Sequence, residues 1–206
     1  MFIISLSLAH EFHCQLYVKT GTQTREKFAD VQKVAAAGDH NICCALPGLH
    51  SFTGCDTVSA FVGKGKISAF KLMQKNRKYQ GAFTQSGKEW SVPRDLSSVL
   101  QEFTCKLYAT RCPSVGVNEL KYQLFRAKKG EVESGRFPPC EDCLFMHSLR
   151  ANYQARVWRR ALEECRSIPN PSRNLWRCHT YNLLEDRIAC PRCYHKVPFL
   201  QVHPRL

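Results

Sequence analysis

The sequence predicts an α-rich α/β chain: a short β-hairpin or sheet edge, then helices, then an irregular tail. Three observations lead there. Short β-prone runs crowd the stretch before Asp30 and are broken by Thr20-Gly21-Thr22, which reads as a turn. Apolar residues then recur at three- and four-residue spacing, most clearly over 95–107 and 140–164. After Pro169-Asn170-Pro171-Ser172 no clean period survives.

Length and composition bound the rest. At 206 residues the chain holds one domain, or one with an appendage, and can bury a core without disulfides. Its 30 Lys+Arg against 17 Asp+Glu leave a formal charge of +13. That balance concerns partners rather than fold, and nucleic acid is the first polyanion to consider. Twelve cysteines would suggest a disulfide framework in a secreted chain. The apolar N-terminus, however, lacks the basic start and small-residue cleavage site of a signal peptide. No window approaches the ~20 apolar residues of a membrane span. Reduced thiols in an intracellular protein, nuclear or cytoplasmic, with no membrane partner, are therefore expected.

The elements follow in order. Residues 2–9 alternate loosely and read as a strand, and 15–19 and 25–31 read as two more. Asp30 stands where an N-cap belongs, before Val31-Gln32-Lys33-Val34-Ala35-Ala36-Ala37 and the stop at Gly38. Asp39 or Asn41 caps a second helix toward Phe52, in which Pro47 predicts a bend or a restart. Val58, Phe61 and Val62 make one apolar helical turn, and 67–73 resumes helical spacing. Residues 81–93 are turn-rich. Over 95–107, Leu96, Val99, Leu100, Phe103 and Leu107 line one helix face. A short helix begins at Asn118 or Glu119, passes Leu120, Leu124 and Phe125, and ends at Lys128-Lys129-Gly130. The long helix of 140–164 has Glu141 and Asp142 in its first turn and an apolar stripe through Leu144, His147, Ala151 and Trp158. Arg150, Arg156, Arg159 and Arg160 form its other side, read as a solvated face.

The stretch of most functional interest is 50–78. Over 57–88 there is no acidic residue, against seven basic ones: Lys64, Lys66, Lys71, Lys75, Arg77, Lys78 and Lys88. Gly63 and Gly65 permit positive φ and close approach of a ligand to the backbone. A glycine loop feeding a helix offers free N–H groups and a positive dipole end, which suit phosphate. Lys64 and Lys66 add charge there, and Lys71, Lys75, Arg77 and Lys78 extend the basic surface. A tight turn with solvated lysines is the plainer alternative.

Phe52-Thr53-Gly54-Cys55-Asp56, Gly63-Lys64-Gly65-Lys66 and Ala69-Phe70-Lys71-Leu72-Met73 together resemble the helix-three-turn-helix region of the flap-endonuclease family, structure-specific 5′ nucleases among the PIN-like folds. The resemblance covers about 27–75. It implies a partial PIN-like unit over 1–110 with the helix-three-turn-helix element at 41–78; the residues beyond read as a helical extension over 111–166 and a Cys/His-containing tail over 167–206. The resemblance further implies that Gly63, Gly65 and Lys66 grip duplex backbone, and that Asp56 is a catalytic carboxylate holding Mg or Mn. Two-metal hydrolysis needs several carboxylates around ions ~3.5–4 Å apart. Upstream of Asp56 stand Glu11, Glu26, Asp30 and Asp39, with no paired-acid pattern. On the residues alone, Asp56 caps a helix starting at Thr57. The wider sequence, through about Leu162 and including Arg150-Ala151-Asn152-Tyr153-Gln154-Ala155, also resembles a group of animal proteins linked to mobile elements, which brings no activity with it.

Two C-x-x-C pairs, Cys140/Cys143 and Cys190/Cys193, are chemically sound zinc ligands. They stand much further apart than a zinc ribbon's gap of about 15–20 residues. Buried, reduced structural cysteine is the alternative, and Cys190-Pro191-Arg192-Cys193-Tyr194-His195 is the stronger knuckle. Cys55 has no base beside it, and His50 reads as a helix histidine. The expectation is thus a binder of nucleic-acid backbone, duplex or flap DNA foremost, with an incomplete catalytic set. An active metal-dependent nuclease and a zinc-stabilised interaction module are the alternatives.

Overall fold

The computed structural model describes residues 2–22, 24–111, 116–127, 136–164 and 167–170. The expected tail, with Cys190, Cys193 and His195, and the expected stop at Lys128-Lys129-Gly130 lie outside the described residues. Among the described residues the chain is helix-rich, with one two-stranded antiparallel sheet. The coarse expectation, α-rich with a small β element, holds.

The N-terminus departs from expectation. Residues 2–9, read as a strand, form helix α1 (Phe2–Ser7) followed by a 3-10 turn (Ala9–Glu11). A short apolar run serves either element, and packing decides. Leu6 and Ala9, which share a helical face, bury against Val31 and Ala35 in a small second core. The hairpin is present as β1 (Tyr17–Thr22) and β2 (Arg25–Asp30), in register from Tyr17↔Asp30 to Thr22↔Arg25. Its turn falls after Thr22, so Thr20-Gly21-Thr22 is strand rather than turn.

The capping expectations at Asp30 and Asp39 hold. Asp30 Oδ1 accepts the Lys33 N–H at 3.0 Å and starts α2 (Val31–Ala37), which Gly38 closes. That N–H bond holds the Asp30 carboxyl below its ordinary range. Asp39 Oδ1 accepts the Asn41 N–H at 2.8 Å and starts α3 (His40–Phe52). Pro47 causes no restart, for α3 runs through it. Two contacts pack against this part of α3. Gly48 lets α5 approach so closely that a Cβ there would collide with the Phe83 carbonyl. Arg159 reaches in from the last helix and donates to the Cys44 carbonyl at 2.9 Å.

Residues 53–65 contain no helix, so the expected helical turn through Val58, Phe61 and Val62 is absent. Instead Cys55 and Val58 exchange backbone hydrogen bonds of 2.8 and 3.3 Å, burying Val58 and Phe61 and leaving Val62 exposed. Helix α4 (Lys66–Gln74) follows, then α5 (Arg77–Gln85), where the sequence read turns from Gly81 onward. Asn76 caps α5 by accepting the Lys78 N–H, and Tyr79, Ala82 and Phe83 bury one face. The turns are confined to the stretch before α6 (Arg94–Tyr108). Helices α7 (Val117–Ala127) and α8 (Glu141–Arg159) lie close to expectation.

Phe52 sits at the centre of the main core, its ring 5.2–6.2 Å from those of Phe61, Phe83, Phe103 and His147. Asn152, buried on α8, locks the turn after α5: its amide accepts from Gly87 N–H at 2.7 Å and donates to the Glu89 carbonyl at 2.8 Å. The arginines of α8 are not a solvated face. Arg159 donates to the carbonyls of Cys44, Phe83, Thr84 and Ser86 at 2.9–3.1 Å, and Arg156 and Arg160 lie over the Trp90 ring.

Candidate nucleic-acid interface

The loop between Phe61 and α4 turns at Gly63, whose φ of +69° only glycine adopts without strain. The second glycine differs from expectation: Gly65 is extended at φ −75° and serves as the N-cap of α4. A Cβ on either glycine would meet nothing within 4 Å, so both glycines face open space. The carbonyl of Gly65 accepts from Ser68 and Ala69, and the first N–H groups of α4 precede the helix ladder.

The two loop lysines do not point outward together. Lys64 lays its ammonium over the Tyr108 ring, 4.5 Å from the centroid, and burial lowers its pKa. Lys66 turns back to the end of α3. Its ammonium donates to His50 Nδ1 at 3.0 Å, the His50 carbonyl at 3.2 Å, Thr53 Oγ1 at 3.3 Å and the Gly54 carbonyl. This is a cation closing a helix C-terminus, where the dipole favours it. His50 must be neutral to accept, and burial, followed by the Lys66 charge, pulls its pKa down. Its ring stacks on Trp158 at 5.3 Å.

Farther along, Lys71 and Lys75 lie on the side of α4 opposite buried Ala69 and Met73. Arg77 opens α5. Lys71, Lys75, Arg77 and Lys88 are exposed, and among the described residues no carboxylate pairs with any of them. Lys78 is different: it pairs with Glu102, which also accepts from Tyr79 Oη at 3.0 Å.

Asp56 is exposed in a bend. No helix starts at Thr57, so the capping role read for Asp56 is overturned; the cap that starts α4 is Gly65. Asp56 lies near enough to Lys66 to favour its charge. Of the upstream acids, Glu26 pairs with Lys19, and Asp30 and Asp39 cap helices. Cys140 is the N-cap residue of α8 and Cys143 lies in its first turn, both half-buried. His147, one turn on, is buried and donates from Nε2 to the Phe52 carbonyl at 2.7 Å; burial pushes its pKa down to about 4. Among the described residues no three His, Cys, Asp or Glu side chains converge to hold a metal.

No family model, curated protein or solved structure matches this chain. No described helix is long and apolar enough to cross a membrane.

Sequence reasoning placed the loop, the start of α4 and the basic corner. It missed the inward roles of Lys66 and Arg159: every partner of Arg159 and two of the partners of Lys66 are carbonyl oxygens, which carry no residue-type signal. It also missed that Val62 and Ile67 are bare. A helical projection of α4 puts Ile67 away from Ala69 and Met73, and that was the available clue.

Proposed function

We propose that the chain binds nucleic-acid backbone, duplex DNA foremost, through the α4–α5 corner and the loop at 63–66. One observation carries this reading: Lys71, Lys75 and Arg77 stand exposed without a described carboxylate partner, in an acid-free stretch of a chain charged +13. Lysines of this kind hold phosphates and fix position without reading sequence. The resemblance to the helix-three-turn-helix of the 5′ nucleases agrees with backbone contact by a glycine loop and the helix after it. Binding without cleavage is the form proposed: Asp30, Asp39 and Glu26 are engaged elsewhere, and among the described residues no three His, Cys, Asp or Glu side chains gather that could hold a metal with Asp56.

The test is filter binding of a DNA duplex across a salt series. Affinity falls steeply with salt, and Lys71→Gln/Lys75→Gln/Arg77→Gln lowers the slope of log K against log salt by about 3. An affinity indifferent to salt, or an unchanged slope in the triple variant, overturns the reading. Lys66→Glu is a poor probe, because it breaks the closure of α3 as well.

A further inference from the structure

Ile67 is 72% exposed and Val62 is 59% exposed; among the described residues no large hydrophobic is barer than Ile67. The two flank the loop at 63–66, whose glycines face open space. A purely electrostatic grip on phosphates has no use for bare branched aliphatics. Both side chains are stiff at χ1, so they hold their shape before anything binds.

Their setting is ordered. Ile67, Lys71 and Lys75 follow at four-residue steps, one above the other on the solvent side of α4 and rising about 6 Å per step. An apolar tip therefore heads a file of unpaired cations, and nothing acidic occurs over 57–88 to repel a polyanion.

We propose that Val62 and Ile67 form a wedge that enters a duplex between base steps, next to the phosphates held by Lys71, Lys75 and Arg77, so that binding unstacks a step and bends the axis. This rests on the reading that the corner binds duplex backbone. Inserted aliphatic side chains unstack and kink DNA in this way, and the cost of unstacking is offset by the phosphate contacts that the bend brings within reach. A membrane surface fits less well. Membrane-seeking helices present a broad apolar face, whereas α4 sets lysines directly behind Ile67.

The experiment uses the full chain and a short duplex of repeated TA steps, with 2-aminopurine in place of alternate adenines. These flexible steps unstack most readily. Binding raises the 2-aminopurine fluorescence several-fold and raises energy transfer between end labels. Val62→Ser/Ile67→Ser leaves the melting temperature unchanged, because both side chains lie outside the core, and still binds the duplex with a salt slope no steeper than the wild type's, but loses most of the fluorescence rise and most of the bend. Binding by the wild type without a fluorescence rise, or a full rise in the double variant, overturns the wedge and leaves backbone binding standing. Absence of any duplex binding overturns both. Co-sedimentation with anionic vesicles that depends on Val62 and Ile67, with no optical change on DNA, assigns the tip to a membrane and also overturns the wedge.

Discussion

Two parts of this molecule use positive charge in opposite directions. On α8, Arg159 turns inward and satisfies carbonyls of α3 and of the end of α5. At the α4–α5 corner, Lys71, Lys75 and Arg77 stand in water with no described carboxylate partner. A guanidinium is weakly hydrated and offers five donors in a fixed fork, so it suits a buried set of oxygens; an ammonium is strongly hydrated and ordinarily stays outside. Lys66 is the exception, an ammonium drawn to a helix end. A net charge of +13 therefore overstates the interface, because part of it holds the fold together.

The comparison breaks most visibly at Arg159. Arg159→Met leaves carbonyls of α3 and α5 without donors and lowers stability by about 3 kcal/mol in urea unfolding, with the salt slope for duplex binding unchanged. A loss below about 0.5 kcal/mol would place Arg159 with the outward cations.

Acid sharpens the same contrast. The folded pKa of His147, about 4, lies below its unfolded value of 6.5, so the unfolded chain binds the proton more tightly. Stability contributed by neutral His147 is full above about pH 6.5 and is lost as pH falls toward about 4, by on the order of 3 kcal/mol. His50 contributes with the same sign. Urea titrations at pH 7 and pH 4 measure the loss, which shrinks in His147→Gln.

The smallest effects separate two neighbouring lysines. Lys66→Met removes the closure of α3 and costs about 1–2 kcal/mol of stability. Lys71→Met shifts stability by less than about 0.5 kcal/mol but lowers the salt slope for duplex binding by about 1. Equal stability losses in the two variants would erase the distinction between inward and outward lysines.

Legibility followed the range of the interactions. The Asp30 and Asp39 caps, the hairpin and the amphipathic α6 and α7 were readable because their hydrogen bonds and faces close within a few residues. Helix α1 was not, since residues 2–9 fit either period until Val31 and Ala35 offer a face to cover. Helix α5 was hidden by Gly81 and the polar residues around it, and its buried Tyr79 and Phe83 matter only once Phe103 lies opposite. At the candidate site, the turn at Gly63 and the start of α4 were legible, and the destination of each lysine was not.

By itself the sequence determined the basic balance, the acid-free stretch, the caps at Asp30 and Asp39 and most of the helices, because these are set by composition and by contacts between near neighbours. The tertiary structure alone decided which cations face a partner. Arg159 meets Cys44 across 115 residues and Lys66 meets the carbonyls that end α3 only when the loop folds back. Carbonyl oxygens are common to every residue, so no pattern of side chains announces such pairings before the chain brings them together.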